Sequence, residues 1–211
     1  NYRAFPLSSI SAFPKLLASQ PGLCGLNVTI PYKETVISFL DELDETAAAV
    51  GAVNTIAFSN GKTTGFNTDC SGFEMSLKPF LKSHHHAALV LGTGGAAKAV
   101  CFVLKKLGID FLQVSRTPGT GKISYEKIDQ AIINAHKIII NTTPLGMHPN
   151  VESLPAIPYQ FVSDEHLFYD LVYNPAETAF LKKGKESGAA TINGLEMLHL
   201  QAAKSWEIWN F

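Results

Sequence analysis

The stretch AALVLGTGGAAKAVCFVLKKLG, residues 87–108, predicts the architecture of the larger part of the chain. Residues 87–91 form an uninterrupted apolar run, which is typical of a strand buried on both faces of a parallel sheet. Residues 92–95 include three glycines and indicate a tight turn. Residues 96–107 place apolar side chains at helical spacing. Strand, glycine turn and helix together predict a parallel α/β domain that begins near residue 83.

The glycine turn matches the pattern G-x-G-x-x-G/A, with Gly92, Gly94 and Ala97 at its fixed positions. Between a strand and a helix, this pattern predicts a Rossmann-type dinucleotide-binding domain. The absent side chains let backbone N–H groups approach a pyrophosphate, whose charge the helix N-terminus favours. The predicted cofactor-binding residues of this loop are Gly92, Thr93, Gly94, Gly95, Ala96 and Ala97. A strand–helix turn without a ligand is the alternative interpretation.

The segment Ser115-Arg116-Thr117 follows the next predicted strand and bears on the choice of cofactor. NAD-binding domains carry an acidic residue here, which binds the ribose 2′-hydroxyl. This chain has Arg116 instead, and a guanidinium binds a 2′-phosphate through charge-assisted hydrogen bonds. The sequence therefore predicts NADP (NADPH) rather than NAD as the cofactor. A solvated loop charge is the alternative interpretation of Arg116.

Strands and helices alternate along the rest of the second half of the chain. Apolar strands are predicted at residues 111–114, 137–140 and 168–172, with a helix expected between them. A parallel sheet covered on both faces follows from this alternation. A long helix at residues 196–206 is expected to end the fold and to pack back on the N-terminal domain.

The N-terminal part predicts a second α/β domain. Asn60-Gly61 is a strong hairpin signal between two strands. The predicted elements of this part are helices at 13–18, 36–43 and 73–81 and strands at 25–30, 52–58 and 63–66. The predicted domains are a substrate-binding domain at 1–82, an NADP-binding Rossmann-type domain at 83–194 and a returning C-terminal helix at 195–211.

The composition limits the classes of function. The net charge is −1, so no basic surplus predicts nucleic-acid binding. No apolar run approaches the roughly 20 residues of a membrane span, and we expect no membrane partner. Three cysteines are too few for a disulfide framework, and an odd count fits a reducing cytoplasm. The consecutive histidines at 84–86 cannot all face one ion, so no metal site is expected.

The stretch NVTIPYKE, residues 27–34, sets polar side chains close around a turn. Lys33 lies near a predicted helix start, where the partial positive charge disfavours the ammonium form and suits the amine to acid–base chemistry. Asp69, in FNTDCSG, is expected to hold this amine in place. The uncharged hydrogen-bonding side chains that would suit a polyhydroxylated substrate are Asn27, Thr29, Asn54 and Asn67.

From about residue 25 to the C-terminus, the sequence resembles the shikimate dehydrogenase family. The segments that carry the resemblance are GLNVTIPYKE, VGAVNT, GFNTDCSGF, LGTGGAAKA, SRT, NTTPLGM, YDLVYNP and INGLEMLHLQAA, in this order. The combination of N-V-T-x-P-x-K with N-T-D is highly specific. The resemblance implies two α/β domains with a cleft between them. It also implies the reduction of 3-dehydroshikimate to shikimate with NADPH, on the pathway to chorismate and aromatic amino acids.

The resemblance implies roles for individual residues. Lys33 matches the catalytic lysine of the family, and Asp69 matches its aspartate partner. The substrate-binding residues that it implies are Asn27, Thr29, Lys33, Asn54, Asp69, Tyr173 and Gln201. The implied cofactor-binding residues beyond the glycine turn are Ser115, Arg116, Thr117, Asn141, Thr142, Thr143, Gly194 and Met197. Of these, Gly194 and Met197 match positions beside the nicotinamide.

The start of the chain departs from the family pattern. The family opens with a strand and a Ser-x-Ser motif that binds the substrate carboxylate, and that piece would lie before Asn1. We therefore expect an N-terminal segment to be absent from this sequence. The serines at positions 8, 9 and 11 lack the preceding glycine-rich strand and are not assigned to the motif.

Alternative functions stay open at this point. A quinate/shikimate dehydrogenase that uses NAD would need little change in the pocket, although Arg116 argues against NAD. A non-catalytic regulator built on the same fold is favoured by the missing strand and opposed by the intact Lys33 and Asp69. A folate dehydrogenase of similar architecture lacks support from the N-T-D and Gln201 segments. The protein is expected to be a monomer or a homodimer.

Overall fold

The computed structural model describes residues 2–117 and 119–210. The chain divides into two compact units. The smaller unit contains the chain up to Thr68 together with the segment that begins at Ala203, and the larger unit runs from Asp69 to Ala202. The predicted boundaries near residues 82 and 194 do not coincide with this division, because residues 69–77 pack with the larger sheet. The predicted domain ranges stay a prediction.

The smaller unit contains a four-stranded mixed sheet. Its strands are β1 (Gly25–Asn27), β2 (Glu42–Leu43), β3 (Thr55–Ser59) and β4 (Lys62–Phe66). Their order across the sheet is β1-β3-β4-β2, with β3 antiparallel to both of its neighbours and β2 parallel to β4. Its other elements are α1 (Phe13–Ser19), α2 (Glu45–Val50) and short 3₁₀ helices at Ile10–Ala12 and Thr35–Phe39.

The hairpin between β3 and β4 confirms the prediction made from Asn60-Gly61. Asn60 has a φ of 51° and Gly61 a φ of 76°. A two-residue type I′ turn requires positive φ at both central residues, and asparagine and glycine tolerate this conformation best. The turn places Ser59 opposite Lys62, which sets the register of the whole hairpin.

Residues 28–43 fold differently from the prediction. The strand expected at 25–30 ends at Asn27, and the helix expected at 36–43 is a 3₁₀ helix at Thr35–Phe39 followed by β2. The Asp41 carboxylate accepts hydrogen bonds from the N–H and the hydroxyl of Thr63 at 2.7 and 2.8 Å. These bonds draw the chain beside β4 and end the helical turn. Apolar spacing over so short a run does not separate a helix from a turn and an edge strand.

Helix α2 was not predicted, although the sequence carries both of its end signals. The Asp44 carboxylate accepts hydrogen bonds from the N–H groups of Thr46 and Ala47 at 3.1 and 2.9 Å. Gly51 ends the helix in the left-handed region with a φ of 67°. The segment DETAAAVG therefore carries an aspartate N-cap and a glycine after the last turn, which are sequence signals for the two ends of a helix.

The larger unit is built on a six-stranded sheet in which every neighbouring pair is parallel. Its strands are β5 (Ala87–Leu91), β6 (Asp110–Val114), β7 (Lys122–Ile123), β8 (Ile138–Asn141), β9 (Leu167–Asp170) and β10 (Ala190–Ile192). Its helices are α3 (Thr68–Leu77), α4 (Gly95–Lys106), α5 (Gln130–Ala135), α6 (Ala179–Glu186) and the greater part of α7 (Leu195–Trp209). The predicted parallel α/β architecture is confirmed.

The strand order of this sheet is β7-β6-β5-β8-β9-β10. From β5, the chain moves outward through β6 to β7 and then returns to β8 on the other side of β5. The order therefore reverses between β5 and β8, as in a Rossmann-type domain. In open parallel sheets, ligands bind outside the carboxyl ends of the strands at this reversal.

The core of the larger unit explains why these strands read as continuous apolar runs. Leu89, Leu91, Ile139 and Phe168 are fully buried and pack in one cluster with Phe180 of α6. The rings of Phe168 and Phe180 lie 4.7 Å apart between centroids. Strands covered on both faces have no solvent-facing side, so every position favours an apolar side chain.

The end of α7 belongs to the smaller unit, as predicted for a returning C-terminal helix. The Trp209 indole N–H donates a hydrogen bond to the Ile56 carbonyl of β3 at 3.0 Å. A Cβ at Gly25 would collide with the Trp209 ring. Glycine at the start of β1 therefore makes room for the indole.

The histidine run precedes β5 and faces a backbone carbonyl. The Nε2 atoms of His84 and His85 lie 3.1 and 3.3 Å from the carbonyl oxygen of Glu165. Within residues 2–117 and 119–210, no cluster of three metal-ligating side chains occurs. In the same part of the chain, we find no helix with the length and apolarity needed to cross a bilayer.

We expect Gly184→Ala in α6 to destabilise the protein. The added Cβ would lie 2.7 Å from Cγ of the buried Phe168, and overpacking of this kind costs about 1–3 kcal/mol. Alanine otherwise favours a helix interior over glycine by about 1 kcal/mol, so a net loss identifies packing as the dominant effect. Urea denaturation measures the change. Gly22→Ala, which meets no atom within 4 Å, is the control, and equal midpoints for both variants would contradict the prediction.

Candidate active site

The glycine turn lies at the carboxyl end of β5, beside the point where the sheet order reverses. Gly92 has a φ of 121°, and its N–H donates to the Val114 carbonyl at 3.0 Å. A Cβ at Gly92 would collide with Oγ1 of Thr142. Glycine is therefore required here by the backbone conformation and by the close approach of the segment after β8.

The N-terminus of α4 follows this turn directly. Gly94 is the N-cap residue, with an extended backbone at φ −76° and ψ −175°, and among the described residues no side chain caps the helix there. The free N–H groups and the dipole of an uncapped helix end favour an anion. Ala97 in the first turn is fully buried, so its small side chain suits a close approach of the helix. The turn fits the predicted pyrophosphate role of residues 92–97.

The predicted 2′-phosphate segment follows β6. The Ser115 N–H donates to the Ile123 carbonyl at 2.8 Å, and the Ser115 hydroxyl accepts from the Thr117 N–H at 3.1 Å. These bonds form a turn at whose centre Arg116 is exposed. Burial raises the pKa of Tyr125 and the charge of Arg116 lowers it, so the guanidinium is within electrostatic reach of this phenol.

Asn141 and Asp170 end β8 and β9 and lie opposite each other in register. The Asn141 side-chain amide donates to Asp170 Oδ1 at 2.9 Å. Its oxygen accepts from the N–H and the hydroxyl of Thr143 at 3.0 and 2.6 Å. The Thr142 hydroxyl donates to the Leu91 carbonyl at 2.7 Å. The predicted cofactor segment 141–143 is thus held against the end of β5, where the glycine turn begins.

Asp170 is a residue of this network that the sequence interpretation missed. Its carboxyl group is fully buried and also accepts from the Val172 N–H at 3.0 Å and from the Thr178 hydroxyl at 2.6 Å. Burial raises the pKa of Asp170 from 3.8 to about 6, against the opposing effect of its hydrogen bonds. One buried carboxyl group therefore holds both segments that leave the carboxyl ends of β8 and β9.

The residues predicted to lie near the nicotinamide lie around the segment after β9. The Gly194 N–H donates to the Val172 carbonyl at 3.2 Å, and a Cβ at Gly194 would collide with the Leu171 carbonyl. Tyr173 directly follows Val172 in the chain and is 46% exposed. Met197 is buried in the first turn of α7. The close packing explains the glycine at 194, while the roles of Gly194, Met197 and Tyr173 stay a prediction.

Asp69 lies in the first turn of α3 and is 5% exposed. A helix N-terminus favours a carboxylate at this place. At Gly72, in the next turn, a Cβ would lie 2.7 Å from the Met197 carbonyl oxygen and 3.1 Å from Cβ of Gln201. Gly72 therefore lets α3 and α7 cross closely. Since residues 69 and 72 share a face of α3, the crossing brings Asp69 and Gln201 to the same side of the larger unit.

In the smaller unit, the segment 28–33 folds back on the start of β3. The Val28 N–H donates to the Asn54 carbonyl at 2.8 Å, and the Val53 N–H donates to the Lys33 carbonyl at 2.7 Å. These two backbone bonds lie at opposite ends of the segment and hold it beside residues 53–54. The predicted substrate-binding residues that this fold brings together are Asn27, Thr29, Lys33 and Asn54.

Five polar side chains of the smaller unit form one hydrogen-bonded cluster, and two of the five are Asn27 and Asn54. The Asn54 amide donates to the Thr68 hydroxyl at 2.9 Å. The Ser205 hydroxyl lies 2.7 Å from the Thr55 hydroxyl, 3.1 Å from the Thr68 hydroxyl and 3.1 Å from the Asn27 amide nitrogen. Asn27 and Asn54 were predicted, whereas Thr55, Thr68 and Ser205 were missed. Ser205 and Asn27 are 178 residues apart, so no local pattern connects them.

The predicted catalytic pair is divided between the two units. Lys33 belongs to the smaller unit and Asp69 to the larger unit. Their pairing therefore stays a prediction. The smaller unit by itself offers Lys33 on a segment held beside Val53 and a separate cluster of hydrogen-bonding side chains that includes Asn27 and Asn54. The larger unit offers the glycine turn together with Asp69 and Gln201.

A comparison with protein families finds one model, described as the shikimate dehydrogenase substrate binding domain, that matches residues 1–56. The chain is also similar to a shikimate dehydrogenase (NADP(+)) of Carboxydothermus hydrogenoformans. The two sequences are 45% identical over 200 residues, which cover 88% of this chain and 71% of that protein.

Solved structures show the same likeness over nearly the whole chain. The shikimate dehydrogenase of Aquifex aeolicus has a TM-score of 0.85 at 34% identity, with 96% of this chain and 78% of that chain covered. The shikimate 5-dehydrogenase of Thermus thermophilus in complex with NADP(H) and shikimate has a TM-score of 0.84 at 32% identity. This second match covers 96% of this chain and 79% of that chain.

We expect Asp170→Asn to change the pH dependence of stability. Because the folded-state pKa is raised, the folded protein keeps a proton on Asp170 between about pH 4 and pH 6 that the unfolded chain has released. The stability linked to this proton is present below about pH 4 and is lost as the pH rises through 6. Relative to wild type, the variant should therefore gain up to about 3 kcal/mol over this range and change little above it.

Urea denaturation of both proteins between pH 4 and pH 8 measures this difference. Asp110→Asn serves as the control, since Asp110 is an exposed aspartate of the same sheet. If the stability differences from wild type have the same pH dependence for both variants, Asp170 does not titrate in the folded protein as proposed.

Proposed function

The chain belongs to the shikimate dehydrogenase family, and from this membership we propose that it catalyses the reversible NADP-dependent reduction of 3-dehydroshikimate to shikimate. The observation that carries the proposal is the 45% identity over 88% of the chain to a shikimate dehydrogenase (NADP(+)). The glycine turn at the sheet reversal and the hydrogen-bonded cluster that contains Asn27 and Asn54 agree with it. In this function, the enzyme acts on the pathway to chorismate and aromatic amino acids.

The residues around the glycine turn fit a dinucleotide. Gly92 takes a backbone conformation that few other residues adopt, and α4 presents an uncapped N-terminus to an anion. Residues 92–97 would hold the pyrophosphate, and Ser115, Arg116 and Thr117 would surround the 2′-phosphate. When bound, NADPH supplies the hydride that adds to the C3 carbonyl carbon of 3-dehydroshikimate. Gly194 and Met197 would line the nicotinamide pocket, with residues 141–143 beneath the cofactor.

Lys33 is the proposed general acid and base. In the direction of reduction, its ammonium group donates a proton to the carbonyl oxygen as that oxygen gains charge. In the direction of oxidation, the neutral amine accepts the proton from the shikimate hydroxyl. Asp69 orients the amine and binds a substrate hydroxyl.

The other proposed substrate contacts are uncharged. In the smaller unit, backbone hydrogen bonds hold the segment that carries Asn27 and Thr29 beside Asn54. These three residues would offer amide and hydroxyl groups to the substrate hydroxyls. Gln201 and Tyr173 offer further hydrogen bonds, with Tyr173 assigned to the substrate carboxylate. Fixed hydrogen-bonding groups accelerate the reaction because they align the C3 carbonyl before hydride and proton transfer.

The direct test is the oxidation of shikimate, followed by the absorbance of the reduced nicotinamide. Shikimate and quinate are each assayed with NADP and with NAD. Turnover of shikimate with NADP supports the proposal, whereas turnover of quinate with NAD alone would favour a quinate/shikimate dehydrogenase. Binding of NADP without any turnover would favour a non-catalytic regulator.

We also propose a cytoplasmic location and a monomeric or homodimeric state for the enzyme. The number of cysteines is odd, and none of the three, all of them in the described part of the chain, forms a disulfide, which fits a reducing compartment. Sedimentation of the purified protein distinguishes a monomer from a homodimer.

Lys33→Ala should lower kcat by roughly 100- to 10,000-fold, because it removes the general acid and base. KM for shikimate should change far less, since uncharged side chains supply most of the substrate contacts. Steady-state kinetics in the direction of oxidation measures both constants. Lys62→Ala, which removes an exposed lysine paired with Glu42 in the same unit, is the control and should leave kcat unchanged. An unchanged kcat in Lys33→Ala would remove Lys33 from the proposed chemistry.

Arg116→Ala should raise KM for NADPH by roughly 10- to 100-fold and leave KM for NADH nearly unchanged. The reason is that a hydrogen bond to a charged group contributes about 1.5–3 kcal/mol, and only NADPH carries the 2′-phosphate. Lys105→Ala, at an exposed position in the last turn of α4, controls for the general loss of positive charge. Equal effects on the KM values of the two cofactors would show that Arg116 does not bind the 2′-phosphate.

A further inference from the structure

Ser205 is a buried hydroxyl of α7 that the proposed chemistry does not use. It is fully buried, and its oxygen lies within hydrogen-bonding distance of three side chains of the smaller unit. One of these side chains is Asn27, a proposed substrate contact, at 3.1 Å. Ser205 thus connects the C-terminal helix with the proposed substrate site.

The hydrogen bonds determine which way the Asn27 amide points. Its Nδ2 atom lies 3.2 Å from the backbone carbonyl of Asn54, which can only accept a hydrogen bond. The same nitrogen lies 3.2 Å from the Thr55 hydroxyl and 3.1 Å from the Ser205 hydroxyl. The nitrogen must therefore face inward. The Asn27 oxygen faces the other way, where it accepts a hydrogen bond from the exposed Tyr2 hydroxyl at 2.9 Å.

The same cluster also fixes the orientation of the Asn54 side-chain amide. Its side-chain oxygen accepts from the Thr68 N–H at 2.7 Å, and a backbone N–H can only donate. Its nitrogen donates to the Thr68 hydroxyl at 2.9 Å, and that hydroxyl lies 3.3 Å from the Asn54 side-chain oxygen. The Ser205 oxygen lies 3.1 Å from the Thr68 hydroxyl, within hydrogen-bonding distance. Ser205, like Thr55, lies within hydrogen-bonding distance of both the Asn27 amide and Thr68, the threonine that orients Asn54.

We propose that Ser205 is a positioning residue of the substrate site, which holds the Asn27 amide so that its oxygen presents a hydrogen-bond acceptor to a hydroxyl group of the substrate. The inference rests on the proposed function and adds to it the direction of one hydrogen bond. Asn27 then selects a substrate that carries a hydroxyl donor at this place. A substrate with a carbonyl oxygen there would meet an acceptor and be disfavoured.

The expected effect of removing the Ser205 hydroxyl is loss of order in Asn27 rather than loss of the fold. In Ser205→Ala, the Asn27 nitrogen keeps the Asn54 carbonyl and the Thr55 hydroxyl within 3.2 Å. We expect KM for shikimate to rise about tenfold, which is the equivalent of one hydrogen bond. We expect kcat to change less than about threefold and KM for NADP to stay the same.

The test compares four proteins in a double-mutant cycle: wild type, Ser205→Ala, Asn27→Ala and the double variant. If Ser205 acts through Asn27, its removal has no further effect on KM once Asn27 is alanine. Calorimetric titration with shikimate follows binding independently of turnover. Ser205→Cys, whose thiol is somewhat larger than the hydroxyl and forms weaker hydrogen bonds, replaces Ser205→Ala if the alanine variant does not fold.

A matched control separates positioning from general stability. Thr63→Val removes another buried hydroxyl of the same unit, one that donates to the Asp41 carboxylate at 2.8 Å and lies outside the proposed site. It should lower the melting temperature without raising KM for shikimate. An unchanged KM in the Ser205 variant, or a Ser205 effect that persists in Asn27→Ala, overturns the inference while the proposed function stands. A wild-type protein that neither turns over nor binds shikimate overturns both.

Discussion

The parallel pairing of β5 with β8 is the constraint on which the larger unit depends. It places Leu91 beside Asn141, so the segments that follow both strands must share one edge of the sheet. There the Thr142 hydroxyl approaches Gly92 so closely that no side chain fits between them. The Asn141–Asp170 hydrogen bond extends the same edge to β9. A dinucleotide site is thus a consequence of strand order, with glycine required at the point of closest approach.

The smaller unit holds neutral polar side chains in fixed orientations. Asn27 and Asn54 are oriented by backbone groups that can only accept or only donate. Hydroxyl groups of Thr68 and Ser205 fill the remaining positions of the cluster. Because buried polar groups are costly when unpaired, such a cluster has few alternative arrangements. Rigid amides are what a polyhydroxylated substrate requires for selective binding.

Local sequence patterns predicted the elements that are long or carry a strong turn signal. The strand of residues 87–91 and the Asn60-Gly61 hairpin are as expected, because burial on both faces and positive φ each leave a direct mark on the sequence. The helix predicted at residues 36–43 was wrong, since the pairing of β2 with β4 competes with helical spacing there. The short helix α2 was missed despite its Asp44 cap.

By itself, the sequence determined the family, the parallel sheet with its glycine turn and the identity of the polar residues around Lys33, because motifs and periodicity are local properties of the chain. Only the tertiary structure decided that Ser205 contacts Asn27 and that Asp170 is buried against Asn141 and Thr178. Ser205 is distant from Asn27 in sequence, Asn141 lies on a different strand from Asp170, and Thr178 is the N-cap residue of α6. Serine and aspartate are also common residues without a distinctive pattern. Their effect comes from burial and hydrogen-bond direction, which exist only once the chain has folded.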